Sequence, residues 1–169
     1  MTLTRRDENR KGRSKHCLVA LFFLFALTIT ASAGELVVGD AVPPFSAKDQ
    51  FDKEFKFEAG LKFLLLGFDM STGKEANHKL ADLGAGWLEK HGAAYVLDVH
   101  TMPVVARFFA LQKMQKYPQR IVLAESEALL APFPHQTGRV TIVALTATGQ
   151  IREILFWNPT ADALEPLLK

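Results

Sequence analysis

The sequence predicts an α/β protein whose central mixed β-sheet is flanked by helices. Two continuous apolar runs, Lys62 to Phe68 and Ala93 to Val99, alternate with stretches in which apolar residues recur every three to four positions. That alternation is the pattern of buried strands joined by helices. Two further β-rich runs, Arg139 to Leu145 and Ile151 to Trp157, are separated by the link Thr146-Ala-Thr-Gly-Gln150 and add an antiparallel hairpin.

The charge of the 169-residue chain is +2, but it is unevenly divided. Residues 1–33 hold Arg5, Arg6, Arg10, Lys11, Arg13 and Lys15 against Asp7 and Glu8, whereas residues 34–169 hold 14 basic and 16 acidic side chains. A body with a balance of −2 lacks the surplus Lys and Arg that phosphate neutralisation needs, which excludes a basic nucleic-acid-binding body.

After the basic stretch comes Cys17 to Thr30, an uncharged apolar run closed by Ala31-Ser32-Ala33. A charged segment, a short apolar segment and an A-x-A site are the parts of a secretory signal peptide, with cleavage expected after Ala33. The run is shorter than the ~20 apolar residues that cross a bilayer, so no membrane anchor is expected after cleavage. A periplasmic location follows for the mature chain. Cys17 is the single cysteine, and it lies in the part to be removed. The remaining 34–169 domain then has no thiol for a disulfide, a C-x-x-C pair, a cysteine nucleophile or a thiolate metal site.

The elements follow in order. Glu35 to Val38 reads as a short strand ended by Gly39-Asp40, and Glu54 to Phe57 alternates charge with aromatic residues as an edge strand does. Lys62 to Phe68 is a strand buried on both faces. Ser71 to His91 carries Ala76, Leu80, Leu83, Trp87 and Leu88 at helical spacing, with Thr72-Gly-Lys-Glu75 as a capping box and Gly92 as its stop. Ala93 to Val99 is the next strand. Thr101-Met-Pro103 opens a second helix with Pro103 in its first turn, and Val104, Val105, Phe108, Phe109, Leu111 and Met114 form its broad apolar side. Ile121 to Ala124 is a strand, and Leu129 to Phe133 is apolar without a clear period. Thr160 to Lys169 reads as a closing helix with a Thr cap.

Val38-Gly-Asp40 with Val42-Pro43, Phe45 and Asp49-Gln50 resembles the N-terminal segment of the peroxiredoxin and exported thiol-reductase branch of the thioredoxin-like superfamily. Thr148-Gly-Gln-Ile151 resembles the hairpin before the last strand of those proteins. The loop Ser71-Thr-Gly-Lys-Glu-Ala-Asn77 is similar to that of the small, exported, cysteine-free YtfJ-like proteins. The resemblance implies a thioredoxin-like three-layer fold with its active site between the Phe63 to Phe68 strand and the following helix. It places Ser71 and Lys74 at the C-x-x-C positions and Gly138-Arg139-Val140-Thr141 where a cis-proline is expected. These departures argue against thiol–disulfide exchange. The block Val99 to Leu111 also resembles short bacterial proteins described as flavin-containing dehydrogenases, yet no G-x-G-x-x-G follows a strand.

Asp69, Ser71, Thr72, Lys74 and Glu75 stand at a strand's carboxyl end and a helix N-terminus, where open α/β sheets bind ligands and free N–H groups attract anions. Thr72 and Glu75 serve equally as plain helix caps. His100 also follows an apolar strand; if that strand neighbours the one before Asp69, the two residues meet in one crevice, completed by Val140, as an acid–base or carboxylate–histidine pair, the plainer reading being unconnected surface histidines. His78, His91, His100 and His135 show no zinc-ligand spacing, and no metal is expected. The function expected is that of an exported thioredoxin-fold module without a thiol redox site, binding an envelope protein or a small anionic ligand, with no cofactor. An oxidoreductase with a flavin or metal bound near Asp69, Lys74 and His100 is the alternative, and a structural part of an envelope complex is a third reading.

Overall fold

Large apolar side chains on both faces of a strand leave it one favourable place, inside a sheet covered on two sides. Phe63–Gly67 (β3) takes that place, with all five residues buried. The computed structural model describes residues 34–58 and 60–169. The expected signal peptide and its cleavage after Ala33 lie outside these residues.

β3 pairs in parallel with β4 (Ala93–Asp98), Gly67 opposite Leu97, and antiparallel with β6 (Val140–Leu145). β4 pairs in parallel with β5 (Val122–Ala124), which pairs antiparallel with β1 (Ser46–Asp49). β2 (Glu54–Lys56) pairs antiparallel with β1 at one edge and β7 (Ile151–Trp157) with β6 at the other, giving the order β2-β1-β5-β4-β3-β6-β7. The pleat divides the core into two layers. Phe63, Leu65, Tyr95, Leu97 and Ile142 face the layer of α1 (Met70–Leu83), α2 (Trp87–Lys90) and α3 (Val104–Met114). Leu64, Leu66, Val96 and Val143 face Val42, Phe57, Phe133 and Leu130 of α4 (Glu127–Leu130). Each fully buried leucine contributes about 1.5–3 kcal/mol by leaving water.

The two motifs from opposite ends of the chain interlock. Gly39 N–H donates to Ile151 O at 2.9 Å, Ile151 N–H to Asp40 O at 2.8 Å, and Val42 N–H to Gly149 O at 3.1 Å. Gly39 (φ +100) and Gly149 (φ +80) adopt left-handed backbone, which a side chain would strain.

Several elements differ from the sequence reading. Glu35 to Val38 forms no strand, because its amides go to unrelated partners: Leu36 N–H to Pro132 O at 2.7 Å and Val37 N–H to Asp40 Oδ2 at 2.9 Å. The strand that opens the sheet is Ser46–Asp49, a short, largely polar segment held in register by β2 and β5. The helix expected over 71–91 stops at Leu83, where Gly84 (φ +91) and Gly86 (φ +74) break it, and α2 then resumes the same apolar phase. Pro103 is the N-cap of α3 rather than a first-turn residue. The unassigned apolar segment contains the end of α4. No α-helix forms over 160–169. Pro166 lacks an amide hydrogen and disfavours the helical conformation of Glu165, so the segment makes a turn on Asn158 and a 3-10 turn at Glu165–Leu167.

The largest difference is on α3. Of the broad apolar side read for this helix, Val104, Val105, Phe108 and Phe109 are 84%, 70%, 59% and 64% exposed. α3 is apolar on two sides, and the sheet covers one: Ala110, Leu111 and Met114 pack inward. No described residue covers the other side.

Candidate functional site

The chain leaves β3 at Gly67, passes Phe68 and turns into α1 at Asp69, which has extended backbone (φ −127, ψ 154) and is the N-cap. A β-region residue with an acceptor side chain is what an N-terminus with unpaired amides requires. Asp69 Oδ1 accepts the Thr72 N–H at 2.7 Å and the Ser71 hydroxyl at 2.7 Å, and Oδ2 accepts the Thr72 hydroxyl at 2.8 Å. Asp69 is therefore the cap that the sequence reading assigned to Thr72. Burial pushes the Asp69 carboxyl up, but these donors and the Gly138 N–H outweigh it and hold the group below the usual range.

Thr72 and Gly73 are the buried residues of the first turn. A Cβ on Gly73 would stand 2.5 Å from Leu97 Cδ1, so glycine is what lets α1 lie this close to β4. Under the turn is Tyr95, fully buried, its hydroxyl 3.4 Å from Gly73 O. Burial and the nearby Asp69 and Tyr117 groups push its phenol strongly up, so it stays neutral.

The remaining candidates occupy different settings. Ser71 and Lys74 are exposed, and Lys74 Nζ stands 3.8 Å from Glu75 Oε1. Val140 is fully buried opposite Trp157 and is part of the core rather than of an open crevice. The loop before it approaches the site through Gly138 (φ +74), and it is tethered by Phe68 stacked on His135 at 5.0 Å and by Thr141 Oγ1 donating to Pro134 O at 2.7 Å. The described residues contain no cis peptide bond.

His100 lies just past the end of β4, which neighbours β3, but its partner is Asp98. Nδ1 stands 2.7 Å from Asp98 Oδ1, and the His100 N–H donates to the same oxygen at 2.9 Å. No hydrogen bond or ion pair joins His100 to Asp69 among the described residues. Among the described residues no three His, Cys, Asp or Glu side chains converge as a metal site would require.

Two features went unnoticed in the sequence. Buried amides tie β1, α1 and the approach to β5 together: Gln50 Oε1 accepts the Ile121 N–H and its Nε2 donates to Gln119 O, both at 2.8 Å, while Gln119 Nε2 donates to Asn77 O at 3.1 Å. Isolated glutamines carry no period that would reveal this. The second is a cleft of about 180 Å³ between α1 and α3, lined by Met70, Lys74, Leu97, Met102, Lys113 and Met114. Three methionines far apart in sequence meet there, and their flexible thioethers make an adaptable apolar surface.

As chemistry, the junction is saturated. A carboxylate that already receives three side-chain and amide bonds is a weak base, and the Ser71 hydroxyl donates to it without being activated.

No protein-family model and no curated protein matches the sequence. Solved structures do. A peroxidoxin from Mycobacterium tuberculosis is 16% identical with a TM-score of 0.52, over 75% of this chain and 91% of that one. The thioredoxin domain of a thiol-disulfide oxidoreductase from Bacteroides vulgatus is 15% identical with a TM-score of 0.52, over 80% of this chain and 100% of that one. A peroxiredoxin-like protein from Aquifex aeolicus is 12% identical with a TM-score of 0.53, over 79% of this chain and 85% of that one. At these identities the likeness shows the fold, which is thioredoxin-like.

Proposed function

We propose that this thioredoxin-fold chain is an exported, non-redox binding module of the cell envelope that holds a protein partner on the surface formed by α3 and the α1–α3 cleft. The observation that supports this is the row Val104, Val105, Phe108 and Phe109, held in solvent by a helix whose other side is packed. Exposed apolar patches of this kind mark interaction sites more often than chance placement. Lys74 and Met70 bring the N-terminus of α1 to the same cleft, where they meet Lys113 and Met114 of α3. The lone cysteine, Cys17, precedes the domain, and Ser71 and Lys74 stand at the positions the resemblance gives to cysteines. Location in the periplasm rests on the signal-like residues 1–33 and is part of the proposal.

The test is cross-linking in intact cells with the wild type and with Phe108→Glu/Phe109→Glu, followed by N-terminal sequencing of the recovered protein and an insulin-reduction assay. A partner held by the wild type and lost from the variant, a start at Gly34 and no reduction are expected. Reduction of insulin abolished by Ser71→Ala or Lys74→Ala, or equal capture by both proteins, refutes the reading.

A further inference from the structure

Lys62 and Asp69 stand at opposite ends of β3, and the Lys62 end opens into a groove of about 530 Å³. It is bounded by the start of β3, the turn between α2 and β4, and the start of β7. Lys62, Lys90, His91, Arg152 and Lys169 line it, and no Asp or Glu does. Residues 34–169 as a whole carry a balance of −2, so this concentration runs against the charge of the body. Lys48, Lys56, Lys74, Arg107 and Arg120 each have a carboxylate within ion-pair distance. Lys62, Lys90, Arg152 and Lys169 form no ion pair among the described residues. Arg152 Nη2 donates to Lys169 O at 3.5 Å, but no acidic side chain among the described residues pairs with these four cations, so a multivalent anion relieves their mutual repulsion.

The groove combines Lys90 of α2 and Arg152 of β7 with the connecting segments at 60–62, 146–147 and 168–169. Lys62 N–H donates to Gly92 O at 2.8 Å and its carbonyl accepts the Leu145 N–H at 2.7 Å. Gly92 (φ +64) leaves room for the Lys62 stem, whose Cγ would be 3.2 Å from a Cβ there. The His91 ring stacks on Trp87 at 4.0 Å, and its Nδ1 bonds Trp87 O at 2.8 Å. Phe63, Leu145 and Leu168, all buried, form an apolar floor.

We propose that this groove binds a ligand carrying two or more phosphate charges. It stands apart from the α3 surface, and its failure leaves the partner-binding reading untouched. The chemistry is shared by a free oligophosphate and by adjacent headgroup phosphates of an anionic lipid surface, and the test separates them.

The full chain is titrated with pyrophosphate by calorimetry at low and at physiological salt, and co-sedimented with phosphatidylglycerol or phosphatidylcholine vesicles. The same measurements are made on Lys62→Gln/Arg152→Gln and on the control Lys53→Gln/Lys116→Gln, whose exposed charges lie outside both the groove and the α1–α3 cleft. Pyrophosphate binding that weakens at least tenfold in the first variant, holds in the control and falls with salt supports a free oligophosphate. Binding to phosphatidylglycerol vesicles alone, with the same dependence on the variants, supports a headgroup. No binding to either, or binding that the first variant leaves unchanged or the control reduces equally, overturns the proposal. Both substituted residues of the first variant are exposed, so its melting temperature should match the wild type.

Discussion

Asp69 holds Thr72 twice, accepting its N–H at 2.7 Å and its hydroxyl at 2.8 Å on different carboxylate oxygens. The cap therefore fixes both the backbone and the side chain of the first turn. Asp69→Ala is expected to lower unfolding stability by about 1–2 kcal/mol, read by urea titration at pH 7. The folded carboxyl is held below its unfolded value of ~3.9, so its contribution is present at neutral pH and is lost as pH falls through the folded value. Asp69→Asn should retain much of the cap and show a flatter acid dependence. An acid limb identical in Asp69→Asn and wild type would show that other groups carry it.

Gln50 replaces a strand neighbour for the backbone ahead of β5. Its amide satisfies both the Ile121 N–H and the Gln119 carbonyl at 2.8 Å, and it is 2% exposed. Gln50→Ala leaves both groups buried and unpaired and should cost about 3 kcal/mol in a denaturant titration. A loss below ~0.5 kcal/mol would mean that water reaches both groups.

Gly73 and Leu97 are coupled by contact. Alanine at 73 gains about 1 kcal/mol of helix propensity but places a Cβ 2.5 Å from Leu97 Cδ1, an overlap that costs about 1–3 kcal/mol. Gly73→Ala should destabilise, and in the Leu97→Ala background it should be neutral or favourable. Additive effects in this double-mutant cycle would rule out the contact as the cause.

Phe108 and Phe109 face each other edge-on at 5.6 Å while both are more than half exposed. Phe108→Ser/Phe109→Ser should therefore change the melting temperature little, within ~0.5 kcal/mol of stability per site, and should improve solubility at high concentration. A large drop in melting temperature would place these rings in the core of the folded protein.

The central strands were legible because Phe63 to Gly67 and Ala93 to Asp98 are apolar on both faces, a signal that does not depend on distant partners. The hairpin of Val140–Leu145 and Ile151–Trp157 was legible from its local turn. Ser46–Asp49 was not, since its pairing with Leu123 and Phe55 is what makes it a strand. In the site, the order of residues located the β3–α1 junction, but which oxygen caps the helix depended on a one-turn shift of register that Thr72 and Asp69 can both satisfy. Adjacency of strands does not set side-chain direction, and the partner of His100 is Asp98, two residues away, rather than Asp69 beyond the neighbouring strand's end.

By itself the sequence determined the α/β class, the burial of the central strands and the absence of thiol chemistry after Cys17, for each follows from local composition. Only the tertiary structure decided that one apolar face of α3 is packed and the other left in solvent, and that Lys62, Lys90, His91, Arg152 and Lys169 share a groove. Both depend on which surfaces the sheet brings within contact distance. Periodicity measures the apolar character of a face, and charge counts measure totals; neither records what stands opposite.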